Sequence, residues 1–171
     1  MSATRILLWS APKCMSSAFE RSIRTLRDVQ VIHESFAVAC HFGQERDDVF
    51  AETALFEANA TYQAAVDALT KDYEGKRLIF AKEMAFCLKM KYDILLQEGM
   101  KEFKHTFLIR SPHQRVRSLI RNRGYFLAEE FGCSEQFDLY YFVANNLHPS
   151  PVVIDVDDLL EFPDETMRWL L

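Results

Sequence analysis

Two short segments carry most of the side chains that could bind or move an anionic group. The first is Ala11-Pro12-Lys13-Cys14-Met15-Ser16-Ser17, between an apolar run and an amphipathic stretch. A strand, a loop holding a lysine and two hydroxyl residues, and then a helix start would aim backbone N–H groups, the positive dipole end and an ammonium at one point, which suits a phosphate or sulfate. The same residues also fit an ordinary strand-to-helix turn with a capping serine and a solvent-facing lysine. The segment is not a Walker A motif, because GxxxxGK[ST] is absent. The second segment runs from Phe107 to Ser118. Arg110 ends an apolar run there, and Ser118 falls two turns into the helix that follows, so the two can close on one phosphate. Arg115, Arg117, Arg121 and Arg123 crowd the same helix and cannot all point one way, so some of them form a solvated basic face.

Other reactive residue types give weaker patterns. Cys14, Cys40, Cys87 and Cys133 form no CxxC pair, and His41, His113 and His148 have no metal-ligand spacing, so neither a zinc site nor a disulfide framework is expected. His105 lies inside an apolar run and reads as a packed or hydrogen-bonded histidine. Phe36, Phe42, Phe126, Tyr140, Tyr141 and Phe142 either line a pocket or belong to the core.

The elements that must position these residues follow from hydrophobic periodicity. Continuous apolar runs predict strands at Arg5–Ser10, Val29–His33, Arg77–Ala81, Lys104–Ile109 and Val152–Asp155. Helical spacing predicts a helix capped by Ser16 or Ser17 and running through Arg27, a long one from Asp47 to about Tyr73, one in Tyr92–Glu98, and one from Pro112 to about Arg123. Two more are expected at Glu135–Asn145 and Pro163–Leu171. Strands buried on both faces and alternating with helices imply a three-layer α/β domain: a central, mainly parallel sheet of about five strands flanked by helices. Ligands of such folds sit beyond the carboxyl ends of the strands, where both segments fall.

Composition bounds the partners. The 171 residues, 49% hydrophobic, suffice for one domain spanning 1–171. A net charge of −5 argues against a nucleic-acid or membrane-surface binder, so any anion site is local. With no membrane-length apolar run and no secretory signal pattern, the expected location is cytoplasmic.

Pro12-Lys13-Cys14-Met15-Ser16-Ser17 resembles the PKSGTT or PKSGTS loop of the 3'-phosphoadenosine 5'-phosphosulfate (PAPS) dependent sulfotransferases, a family with a P-loop-type fold. Arg110 and Ser118 match, at the same spacing, that family's pair on the 3'-phosphate, and Asp157-Asp158-Leu159 with Pro163 resembles its YEDL…P segment. His33-Glu34-Ser35-Phe36 is similar to a His-Glu-Pro-Phe stretch of a divergent branch, some of whose members carry aminotransferase-like names; nothing in the sequence suggests pyridoxal phosphate chemistry. The resemblance implies that Lys13 contacts the 5'-phosphosulfate of PAPS while Pro12, Cys14, Met15, Ser16 and Ser17 shape the loop around the 5'-phosphate. The product nucleotide would be adenosine 3',5'-bisphosphate (PAP), and the acceptor a hydroxyl or amine of a small molecule. Sulfuryl transfer needs positioning, charge stabilisation on the leaving phosphate and a general base, and no metal.

Where family members place a catalytic His or Glu after the third strand, this chain has Lys82-Glu83-Met84. Glu83 is the expected base and Lys82 the stabilising cation, with His33 and Glu34 as rivals. Two departures stand out. Met15 replaces the usual Gly, which narrows the freedom of the loop, and the 171 residues contain no counterpart of the Gly-rich, Lys-containing C-terminal loop that covers the cofactor. Those departures keep a noncatalytic nucleotide-binding relative open. An ATP-dependent P-loop kinase, with Val152–Asp155 as a Walker B strand, is a further alternative. The acceptor and the oligomeric state, a homodimer included, are not legible.

Overall fold

A computed structural model describes residues 3–46, 56–123 and 131–170, the Arg123 and Trp169 side chains excepted. The five strands β1 (Thr4–Ser10), β2 (Val29–His33), β3 (Leu78–Met84), β4 (Lys104–Ile109) and β5 (Val152–Asp155) form one sheet in the order β2-β3-β1-β4-β5. Every pairing is parallel. Successive side chains of β1 therefore go to opposite faces: Leu7 and Trp9 pack into one apolar layer with Ile79, Ala81 and Phe107, whereas Ile6 and Leu8 join Phe80, Leu108 and Ile154 in the other.

Helices cover both layers. On the first lie α2 (Ser35–Phe42), α3 (Tyr62–Thr70) and α5 (Cys133–Asn146); on the second lie α1 (Ser16–Ile23), α6 (Val156–Glu161) and α7 (Pro163–Leu170). The helix α4 (Pro112–Arg123) follows β4, and short 3-10 turns at Ala85–Leu88, Tyr92–Leu96 and Met100–Glu102 carry the chain from β3 to β4. Three layers around a parallel sheet is the expected architecture.

Several boundaries differ. β3 extends to Met84, three residues past the expected end, so Lys82 and Glu83 lie inside a strand. α1 stops at Ile23. Of the long helix expected from Asp47, residues 47–55 lie outside the described residues. Residues 56–61 are irregular, because Thr61 takes an extended conformation and its Oγ1 accepts the Ala64 N–H at 3.0 Å, starting α3. Two helices were not foreseen. α2 is a short apolar helix, and its end packs so tightly that a side chain at Gly43 would meet the Ala60 carbonyl at 1.9 Å. α6 is capped by Asp155, whose Oδ1 accepts the Asp157 N–H at 2.9 Å.

The connection after β1 leads left across β3 to β2, and the one after β4 leads right to β5. Because β1 and β4 are neighbours, the carboxyl ends of these two strands flank the switch point where a ligand crevice opens.

Candidate functional site

A cleft of about 440 Å³ lies at that point, lined by Pro12, Lys13, Met15, Ser16, Ser17, Glu34, Ala37, His41, Met84, Phe86, Cys87, Arg110, Ser118 and Leu119. It draws on the ends of β1, β2, β3 and β4 together, so segments almost a hundred residues apart meet in it.

The loop between β1 and α1 is built around left-handed backbone. Lys13 has φ 67° and Met15 φ 58°. Met15 thus takes the left-handed conformation that glycine adopts without cost, at a penalty of about 1–2 kcal/mol. Its carbonyl accepts the Ala18 and Phe19 N–H groups at 2.9 and 3.1 Å, but its side chain does not cap the helix. The expected serine cap is therefore absent: Ser16 and Ser17 are the first two residues of α1, and both line the cleft. An N-terminus of this kind directs its first amides at whatever fills the cleft.

Two arginines hold the loop. Arg110 donates from Nη1 to the Lys13 carbonyl at 3.0 Å and from Nε to Gln114 Oε1 at 2.9 Å, and its side chain still lines the cleft. Arg115 is buried rather than part of a solvated face. It donates from Nε to the Pro12 carbonyl at 2.9 Å, and also to the Phe131 carbonyl and the Cys133 sulfur, and it lies 4.1 Å from the Phe131 ring centroid. Arg117 and Arg121 are exposed. Lys13, Ser16, Ser17, Arg110 and Ser118 are thus brought together, as both sequence segments implied. Cys14 faces the core, and burial pushes its thiol up.

The residues after β2 and β3 fall differently. Glu83 is fully buried: its Oε1 accepts from the Ser35 N–H at 2.7 Å and the Ser35 hydroxyl at 2.6 Å, and its Oε2 accepts the Phe36 N–H at 3.1 Å. Burial outweighs these bonds and pushes its carboxyl up to about 7. Glu83 does not line the cleft, so the placement that made it the expected base is corrected: the extra length of β3 carries it inward to pin the start of α2. Lys82 is also fully buried, and its ammonium pairs with the Glu34 carboxylate. Glu34, at φ 49°, is the carboxylate that faces the cleft. His33 lies outside the lining. Its Nδ1 meets Glu20 Oε2 at 2.5 Å, and its Nε2 stands 3.9 Å from Glu34 Oε1. Burial raises Glu20, but bonds with His33 and Arg24 outweigh it and hold this carboxyl below its usual value.

Ala37, His41, Met84, Phe86, Cys87 and Leu119 were missed as lining residues. Glu34, Ala37 and His41 occur at i, i+3 and i+7, a stripe that a helix assignment for Ser35–Phe42 would have exposed. Of the aromatics, Tyr140 and Tyr141 line a second, mostly apolar cleft of about 390 Å³ beside Arg110, Phe36 is core, and Phe126 lies outside the described residues. His105 is packed as expected: its Nδ1 accepts from Trp9 Nε1 at 2.9 Å, and burial lowers it to about 3.

A family model described as a sulfotransferase domain matches residues 4–169. The chain belongs to the sulfotransferase family. Among curated proteins, the chain is similar to two from Arabidopsis thaliana. It is 26% identical over 162 residues to branched-chain-amino-acid aminotransferase-like protein 2 and 29% identical over 168 residues to the like-named protein 1. Each match takes in 95% of this chain, which spans 28% of the length of either relative. Among solved structures, a sulfotransferase from Alicyclobacillus acidocaldarius superposes with a TM-score of 0.63 at 14% identity, covering 98% of this chain and 78% of that one. A gluconokinase from Sinorhizobium meliloti superposes at 0.56 with 16% identity, covering 99% and 93%. At such identities the likeness shows the fold, a P-loop-type α/β sandwich. Among the described residues no helix is long and apolar enough to cross a membrane.

Proposed function

We propose that this sulfotransferase-family chain binds PAPS in the cleft between β1 and β4 and moves its sulfuryl group to a hydroxyl or amine of a small-molecule acceptor. The observation that carries the reading is the convergence of Lys13, Ser16, Ser17, Arg110 and Ser118 on one cleft at the start of α1. Lys13 and the first amides of α1 receive the 5'-phosphosulfate end, and Arg110 with Ser118 receives the 3'-phosphate. In the transfer, the acceptor oxygen or nitrogen attacks sulfur in line while the sulfur–oxygen bond to the 5'-phosphate breaks. The electron pair leaves on PAP, where Lys13 offsets the growing charge. Glu34 takes the acceptor proton in this reading, because it is the carboxylate on the cleft wall, and buried Lys82 fixes its orientation.

The kinase alternative loses support because Asp155, its magnesium ligand, caps α6 and does not line the cleft. Calorimetric titration with PAP, beside ATP and magnesium, tests the assignment. Metal-independent PAP binding that is lost in Lys13→Ala and Arg110→Ala is the expected result; a preference for ATP, or binding indifferent to both substitutions, would overturn it.

A further inference from the structure

The part of the cleft wall formed by α2 and the turn after β3 contains a set of soft ligands that the transfer chemistry does not use. His41 lies on the cleft stripe of α2, and Cys40 lies on the adjoining core face. Cys87 comes from the 3-10 turn after β3 and reaches the same cleft. His41 Nε2 is 3.8 Å from Cys87 Sγ, and one ligand atom from each of Cys40, His41 and Cys87 falls within 4.8 Å of the other two. The absence of a CxxC or His-containing spacing in the sequence hid this arrangement, because β3 delivers the third ligand from 46 residues away.

Two thiols and an imidazole form a donor set for a borderline-soft ion such as zinc, not for calcium or magnesium. Charge favours the same ion: two thiolates and a neutral imidazole balance a divalent cation, which a largely buried site requires. With bonds of about 2.3 Å to sulfur and 2.0–2.1 Å to nitrogen, tetrahedral ligands stand roughly 3.5–4 Å apart, so side-chain shifts of about 1 Å close the set. The backbone beneath is fixed, since Tyr62 Oη donates to the Cys87 carbonyl at 2.5 Å and the Tyr62 ring stacks on Phe36. Only His41 of the three is appreciably exposed, and it faces the cleft.

We propose that Cys40, His41 and Cys87 bind one zinc ion whose fourth position opens into the cleft, for water or an anionic group of whatever occupies it. The proposal rests on the cleft and not on the identity of the nucleotide.

The test is to strip the reduced, full chain with a chelator and titrate it with Co2+ and then Zn2+. One equivalent of Co2+ should produce thiolate-to-metal charge-transfer absorption with the intense visible bands of a four-coordinate ion, displaced by one equivalent of Zn2+. Cys40→Ser and Cys87→Ser should weaken zinc binding at least about 100-fold, His41→Gln should weaken it while leaving charge transfer visible, and Cys14→Ser should change neither. The absence of charge transfer in the reduced wild-type chain overturns the site without reliance on any variant. So does a signal that survives Cys87→Ser and disappears in Cys14→Ser or Cys133→Ser.

Discussion

The Arg110 guanidinium donates to the Lys13 backbone carbonyl at 3.0 Å, so the residue that ends β4 also holds the loop that follows β1. Arg110→Ala therefore removes the proposed 3'-phosphate contact and a loop brace together. It should weaken PAP binding by about 100-fold, whereas Ser118→Ala, which deletes one hydroxyl, should cost about 5–10-fold. Arg110→Lys should recover little, because an ammonium lacks the planar fork. Isothermal titration of the three variants checks the order.

Arg115→Ala should lower stability by about 3 kcal/mol. The substitution leaves the Pro12 and Phe131 carbonyls without their buried donor, together with a cavity beside the Phe131 ring. Chemical denaturation measures the loss.

Met15→Gly and Met15→Ala separate backbone strain from side-chain loss. At φ 58° the glycine variant should be the more stable of the two by about 1 kcal/mol. Equal melting temperatures would show that the left-handed turn carries no penalty.

Glu34→Gln should reduce turnover by about 100-fold or more while PAP affinity stays within a few fold. It also leaves Lys82 buried beside a neutral amide, costing roughly 3 kcal/mol. The double variant Lys82→Met/Glu34→Gln should regain stability without regaining turnover, which distinguishes a base from a structural partner. Melting curves and single-turnover assays read the two effects.

Burial raises Glu83 to about 7 in the folded chain, above its unfolded value. The folded state therefore favours the protonated form. Its contribution is fully present below the unfolded pKa and is lost as pH rises through about 7, amounting to roughly 3 kcal/mol in all. Glu83→Gln, which cannot ionise, should flatten stability against pH between about 4.5 and 7, as followed by denaturant midpoints.

The strands were legible because each is a continuous apolar run, and β2, β4 and β5 fall where that pattern places them. α2 was obscure because Ser35–Phe42 is apolar on most sides and follows directly on β2, so periodicity offers no boundary. The half of the candidate site proposed to bind anions is built from the loops and helix starts that follow β1 and β4, and for Lys13, Ser16, Ser17, Arg110 and Ser118 sequence position and spatial position agree. For Lys82 and Glu83 they do not. Three extra residues of strand decide whether a side chain meets ligand or core, and the apolar pattern of β3 breaks at Lys82 because the charges there are satisfied by α2 and by Glu34, partners that adjacency in sequence cannot reveal.

The central position of β1 also bears on how the molecule is made. Its partners are β3 and β4, with Thr4 opposite Leu78 and Trp9 opposite Phe107, and neither neighbour is the strand that follows it in the chain. During synthesis β1 must wait, unpaired on both edges, until Leu78–Met84 has emerged as β3, and its second edge stays open until β4 follows at Lys104–Ile109. Folding dominated by such distant pairings is slow, and an apolar strand kept waiting is exposed to aggregation. The chain through β3 should therefore be unable to hold the loop after β1 in shape, because Arg110 and Arg115 brace it, and the cleft should appear late, when β4 docks beside β1.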